Sequence, residues 1–134
     1  MRLIDHNEAL IQFCEELKTQ KFITLDTEFV REKTYFPKLC LIQIAYKDGA
    51  AIIDPLAPDI NLKPFFEILT SEKILKVVHS GRQDIEIFYQ LMGKMPKPLF
   101  DTQIAASVCG FGRCVSYGSL VQEITKIELD KSSR

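Results

Sequence analysis

Residues 22–29, Phe-Ile-Thr-Leu-Asp-Thr-Glu-Phe, join an apolar, strand-forming run to two carboxylates two positions apart, Asp26 and Glu28. In an extended chain, residues i and i+2 point to the same face. The two acids therefore stand side by side where a strand over 21–27 ends. Like charges in that arrangement repel, and partial burial adds a desolvation cost. Asp-x-Glu alone is a weak signal, equally read as a solvated strand end. The apolar residues before it, Phe22, Ile23 and Leu25, shift the weight, because open α/β sheets build their sites where buried strands emerge.

Working outward, Leu10, Phe13, Cys14 and Leu17 recur at helical spacing and predict a helix over 7–19. After the acidic strand, "LCLIQIAY" (39–46) is a second strand, Lys47-Asp48-Gly49 a hairpin turn, and "AAIID" (50–54) a third strand. Pro64 opens a helix running to Leu69. "ILKVVHS" (74–80) is apolar enough for a strand buried on both faces. Gly81 breaks it, and a helix over 83–92 turns Ile87, Phe88 and Leu91 inward. "PLFDTQ" (98–103) is a short strand turning into a helix that Asp101 caps. A loop, "GFGRCVSYGSL", and a short helix over 119–127 come last. A helix, an antiparallel meander of three strands and then strand–helix units predict an α/β fold, a mixed sheet flanked by helices, in one domain.

Composition supports that reading. The 134 residues are 46% hydrophobic and 26% charged, as in a soluble domain with its own core. A formal net charge of -1 excludes a broadly basic body, so any nucleic-acid contact must be a local patch. No apolar run nears the ~18 residues of a membrane span. Asp5, His6, Asn7 and Glu8 stand where a signal peptide needs an apolar stretch. Cys14, Cys40, Cys109 and Cys114 include no C-x-x-C pair and are expected to be reduced, buried thiols of a cytoplasmic protein.

A third acid comes from "VVHSGRQDIEIF" (77–88), which delivers Asp84 at the start of a helix. The helix dipole alone favours an acid there. Asp26, Glu28 and Asp84 can nevertheless converge at the sheet edge. Three hard oxygen ligands with no His or Cys set point to Mg²⁺ or Mn²⁺.

"DTEF" (26–29), "HSGRQDIEIF" (79–88) and "FDTQIAA" (100–106) stand in order with "REKTYFPKLCLIQIA" (31–45), "IIDPLAP" (52–58) and "ELDKSSR" (128–134). In these segments the chain resembles the DEDD 3′–5′ exonucleases of ribonuclease D type, over essentially its whole length. The resemblance implies a ribonuclease-H-like fold. It also implies two-metal hydrolysis at RNA 3′ ends, tRNA precursors included, releasing nucleoside 5′-monophosphates. Asp26 is then expected to bridge both cations, Glu28 to bind the water-activating one, and Asp84 to hold the second, partly through water. Thr27 and Phe29 would lie against the terminal nucleotide, Ile87 would pack against it, and His79 would help shape the pocket. Phe29 is equally an ordinary core aromatic, and His79 equally a hydrogen-bonded structural histidine. Asp101 is expected to cap its helix, with support of the site as a lesser role. Arg31, Lys33 and Lys38, interleaved with Tyr35 and Phe36, would suit single-stranded RNA, or are scattered surface residues.

The chain departs from the family at its third motif, Tyr-x-x-x-Asp. Four positions beyond Tyr35, Tyr46, Tyr89 and Tyr117 stand Leu39, Ala50, Gly93 and Val121. The family's C-terminal helical RNA-binding domains have no counterpart either. The expectation is an exonuclease domain over 1–134, incomplete at its C-terminus before the last helix, and inactive or nearly so alone. A homodimer or a complementing polypeptide would cover the truncated edge. A non-catalytic module for RNA ends or a partner protein, half of a split exonuclease, and a DNA-directed relative remain open alternatives.

Overall fold

The computed structural model describes residues 1–33 and 35–130. Thr34, within "REKTYFPK", and the last four residues of "ELDKSSR" lie outside the described residues. The elements run β1 (Arg2–Ile4), α1 (Asn7–Leu17), β2 (Phe22–Val30), β3 (Lys38–Tyr46), β4 (Gly49–Ile53), α2 (Lys63–Thr70), β5 (Leu75–Val78), α3 (Arg82–Met92), β6 (Leu99–Asp101), α4 (Thr102–Val108) and α5 (Tyr117–Thr125). Among the described residues they form a six-stranded sheet in the order β1-β4-β3-β2-β5-β6. β2, β3 and β4 make the antiparallel meander, while β1–β4, β2–β5 and β5–β6 pair in parallel. The mixed α/β sheet with flanking helices is thus as the sequence predicts.

Period-2 alternation in β2 sends Ile23, Leu25 and Thr27 to one face and Thr24, Asp26 and Glu28 to the other. The first face carries the core. Leu10, Phe13, Cys14 and Leu17 of α1, Phe65, Ile68 and Leu69 of α2, and Ile87 and Phe88 of α3 meet Ile42, Ile44 and Ile53 there. Phe65 and Phe88 lie with ring centroids 6.1 Å apart. Each such fully buried side chain contributes about 1.5–3 kcal/mol, which is what clamps these helices to the sheet. The opposite face is lined by half-buried Gln43, Ala45 and Ala50 and by exposed Asp26, and Tyr117 of α5 stands at its border.

Several expectations need correction. β1 was not anticipated: three residues carry too little pattern, and its place comes from parallel pairing of Arg2, Leu3 and Ile4 with Ala51, Ile52 and Ile53. Leu91 is 50% exposed and not inward; the buried face of α3 is Asp84, Ile85, Ile87 and Phe88. Only Cys14 is a buried thiol. Cys40 is half-buried, and Cys109 and Cys114 are exposed, because α4 ends at Val108 and the chain leaves the core. α5 begins at Tyr117, two residues earlier than expected, since Ser116 caps it by accepting from the Ser119 amide.

β5 holds the largest surprise, a lysine with no solvent exposure, Lys76. Its ammonium donates to the Ser71 carbonyl at 2.6 Å and the Lys97 carbonyl at 3.0 Å, tying the end of α2 to the segment before β6. Burial pushes the Lys76 amine down to about 8. A lowered amine leaves the unfolded chain holding the extra proton above that value, so stability rises with pH from about 8 toward the ordinary lysine value of 10.5. Cys14, pushed up to about 12 by burial, acts oppositely over an overlapping range. The two separate by difference. Urea unfolding of wild type and Lys76→Met is expected to show wild type gaining on the variant between pH 8 and 10.5. A constant difference across that window would refute the assignment.

Candidate active site

The acidic strand outruns its parallel neighbour. β5 pairs only with Phe22, Ile23 and Thr24 of β2, so from Leu25 onward that side of β2 has no strand beside it. The start of α3 fills the gap. Asp84, in its first turn and 7% exposed, accepts a hydrogen bond from the Thr27 hydroxyl. Thr27 is itself 6% exposed, on the face opposite Asp26 and Glu28. The Thr27 amide donates to Asp26 Oδ1 at 3.0 Å. Between Glu28 and Phe29 the β2–β3 register slips, and such irregularities re-aim strand ends beside sites.

Burial pushes the Asp84 carboxyl up; the Thr27 hydroxyl pulls it part of the way back, and the Asp26 charge pushes it up again. Asp26 and Asp84 therefore sense one another across the strand end. Glu28 shares Asp26's face. Among the described residues no three His, Cys, Asp or Glu side chains gather as a metal cluster. The donor chemistry nonetheless fits a hard divalent cation. The donors are all carboxylate oxygens, and a desolvated carboxyl beside a second negative charge is the situation such a cation relieves.

The turn that delivers Asp84 is held from β6. Ser80 has φ 54°, a left-handed conformation unfavourable for a side-chain-bearing residue. A Cβ on Gly81 would lie 2.6 Å from Val78 Cγ2, so only glycine fits there unless Val78 moves. Asp101 anchors both. Its Oδ1 accepts from the Ser80 amide at 3.0 Å and its Oδ2 from the Gly81 amide at 2.9 Å. The same carboxylate accepts from the Gln103 and Ile104 amides as the N-cap of α4. Burial works to raise the Asp101 carboxyl, but the Gly81, Ser80, Gln103 and Ile104 amides outweigh it and leave it below its ordinary value. The capping role is as predicted; the grip on the β5–α3 turn is an addition no local pattern announces.

His79 is fully engaged. Nδ1 lies 2.8 Å from the Thr102 hydroxyl and Nε2 3.0 Å from the Val115 carbonyl. A carbonyl only accepts, so Nε2 carries hydrogen. Tyr117 packs edge-on against the ring at 5.5 Å. Phe29 is half-buried against the core, and Ile87, 2% exposed, is part of it. Arg31 Nη1 donates to the Tyr35 carbonyl at 3.2 Å. Arg31, exposed Tyr35, Gln83, Glu86 and Gln90 border a polar groove of about 230 Å³ along α3. A larger depression of about 530 Å³ opens on the sheet face, bordered by Thr24, Asp26, Gln43, Val77, His79 and Tyr117. Gln43 was missed. Its signal was visible as the one amide in the apolar strand "LCLIQIAY".

The model of a family described as 3′–5′ exonuclease matches residues 1–134. A ribonuclease D of Bartonella henselae is 52% identical over 134 residues, covering 100% of this chain and 33% of that protein. A ribonuclease D of Jannaschia sp. is 48% identical, over 98% of this chain and 35% of its own length. The crystal structure of Escherichia coli RNase D, described as an exoribonuclease involved in structured RNA processing, superposes with a TM-score of 0.91 at 40% identity. It covers 98% of this chain and 35% of that one. The chain thus spans about a third of the length of the relatives it matches.

Asp101→Ala removes the acceptor of four amides. It is expected to lower stability by about 1–3 kcal/mol at pH 7. A carboxyl held low stabilises the fold above its unfolded value near 3.9 and loses that contribution as pH falls through the folded value. The wild-type advantage over Asp101→Ala should therefore vanish on acidification, as read by urea unfolding from pH 7 to pH 2.

Proposed function

The chain belongs to the 3′–5′ exonuclease family, and from that premise we propose that it is the acid-bearing part of a 3′–5′ exoribonuclease of ribonuclease D type. One observation carries the reading. The exposed Asp26–Glu28 pair stands at the strand end where buried Asp84, whose carboxyl burial and the Asp26 charge push up, bonds to Thr27 between them. The substrate would be the 3′ end of a single-stranded RNA, tRNA precursors among them, and the site of action the cytoplasm.

Asp26, Glu28 and Asp84 are the residues that would hold two divalent cations, Mg²⁺ or Mn²⁺. When bound, such cations supply an activated water and a stabilised leaving oxygen. The chain's own contribution is placement. Thr27 orients Asp84 through its hydroxyl and Asp26 through its amide. Asp101 fixes the turn that presents Asp84. Arg31, Lys33, Lys38 and Tyr35 offer charge and a ring face to the strand. His79 and Tyr117 wall the depression beside Asp26. The fourth acid, with the tyrosine of the third motif, would come from polypeptide beyond these 134 residues, in the same chain or a complementing one. A second reading, a non-catalytic module for RNA ends, is favoured by the lack of a gathered three-ligand cluster among the described residues.

Joining this chain to the remaining two-thirds of the Bartonella henselae protein tests the reading. The chimera is expected to shorten 5′-labelled RNA stepwise from its 3′ end in Mn²⁺, with Asp26→Ala, Glu28→Ala or Asp84→Ala each slowing it about 100-fold or more. The chain alone should be at least about 10-fold slower than the chimera. A chimera that binds RNA without shortening it would favour the binding module.

A further inference from the structure

β3 is apolar from Leu39 to Ala45 except at one position, Gln43. Its register partner on β2 is Asp26. Residues directly opposite in an antiparallel pair share a face, with Cβ atoms about 4.5–5.5 Å apart. Both border the depression on the sheet face, so Gln43 is the nearest cross-strand side chain to the first acid of the site. It is half-buried between Leu41 and Ala45 on that face. Its carboxamide makes no hydrogen bond among the described residues. Among the described residues no buried side-chain N or O lacks a partner, so the Gln43 amide is open to solvent in the depression and keeps its hydrogen-bonding capacity for a partner there. Asp26 is complementary. Its Oδ1 is engaged by the Thr27 amide, and the residue borders the same depression.

We propose that Gln43 is a positioning residue for Asp26, donating a carboxamide N–H to the Asp26 carboxylate when the site takes up a divalent cation. The inference rests on the proposed function, since it assigns Asp26 to the cation. The Thr27 amide and the Gln43 carboxamide then hold the carboxylate from two directions and fix its plane. Gln43 adds no charge, so it orients Asp26 without competing for the cation, as a lysine or arginine would. Groups that orient a metal-binding carboxylate are worth about 10–100-fold in metal affinity.

Mn²⁺ binding to the 134-residue chain, measured by calorimetry, tests this directly. Gln43→Met keeps the length of the side chain and removes the donor. It is expected to weaken Mn²⁺ binding about 10-fold or more, with the unfolding midpoint unchanged within a few degrees. A second readout needs no Gln43 variant. The side-chain amide resonances of Gln43 should shift on Mg²⁺ addition in wild type and stay still in Asp26→Ala. Wild type and Gln43→Met binding Mn²⁺ equally, or Gln43 resonances unmoved by Mg²⁺, would overturn the role of Gln43 while leaving the cation site standing. A wild-type chain that takes up no Mn²⁺ would overturn the cation reading and this inference with it.

Discussion

A single carboxylate, Asp101, sets the geometry on which the acidic end of the sheet depends. Four backbone amides from two separate segments converge on it: Ser80 and Gly81 from the turn after β5, Gln103 and Ile104 from the first turn of α4. The turn is costly by itself, with Ser80 in a left-handed conformation, and it admits no side chain at Gly81 unless Val78 moves. Charge-assisted hydrogen bonds of this kind are roughly twice as strong as neutral ones, so the anchor offsets the strain. Held in that shape, the turn determines where α3 starts, and hence the position of Asp84.

The second constraint is a mismatch of lengths. β2 has nine residues, and β5 pairs with the first three. A parallel neighbour running the full length would have left no room for α3 beside Thr27. Because it stops short, one helix terminus and one strand end share a small volume. Thr27, an uncharged residue between two acids, bridges them by its hydroxyl and its amide together. The polar groups of the site thus stand on β2 and the first turn of α3, with β3 paired alongside β2.

Much of this was legible in the sequence, for physical reasons that differ by element. The helix over α1, the meander and the Asp101 cap arise from periodicity and local hydrogen-bonding chemistry, both written in short windows. The acids at Asp26 and Glu28 were legible because an apolar strand ending in two like charges is costly without a reason. Lys76 was not legible. Nothing in "ILKVVHS" says that two carbonyls from distant segments will receive its ammonium. The same holds for the grip of Asp101 on residues twenty positions earlier, and for the bonds of His79 to Thr102 and Val115. Of the predicted stripe Ile87 and Phe88 are buried and only Leu91 was misplaced, because a helix of eleven residues offers several apolar positions and Ile85, not Leu91, completes the buried face. The parallel pairing of β1 is a long-range outcome that three residues could not announce.

Both margins of the sheet are very short strands, β1 at Arg2–Ile4 and β6 at Leu99–Asp101. A margin of three residues offers another molecule few free amides and carbonyls to zip onto. Self-association through added strands is therefore discouraged at both ends, and any that occurs is expected to run through apolar side chains. Contact of that kind answers to solvent conditions in a recognisable way, tightening with warming from the cold and with sulfate, and loosening with urea. Handling of the protein at the bench should obey that pattern and not the slow, seeded growth of stacked strands.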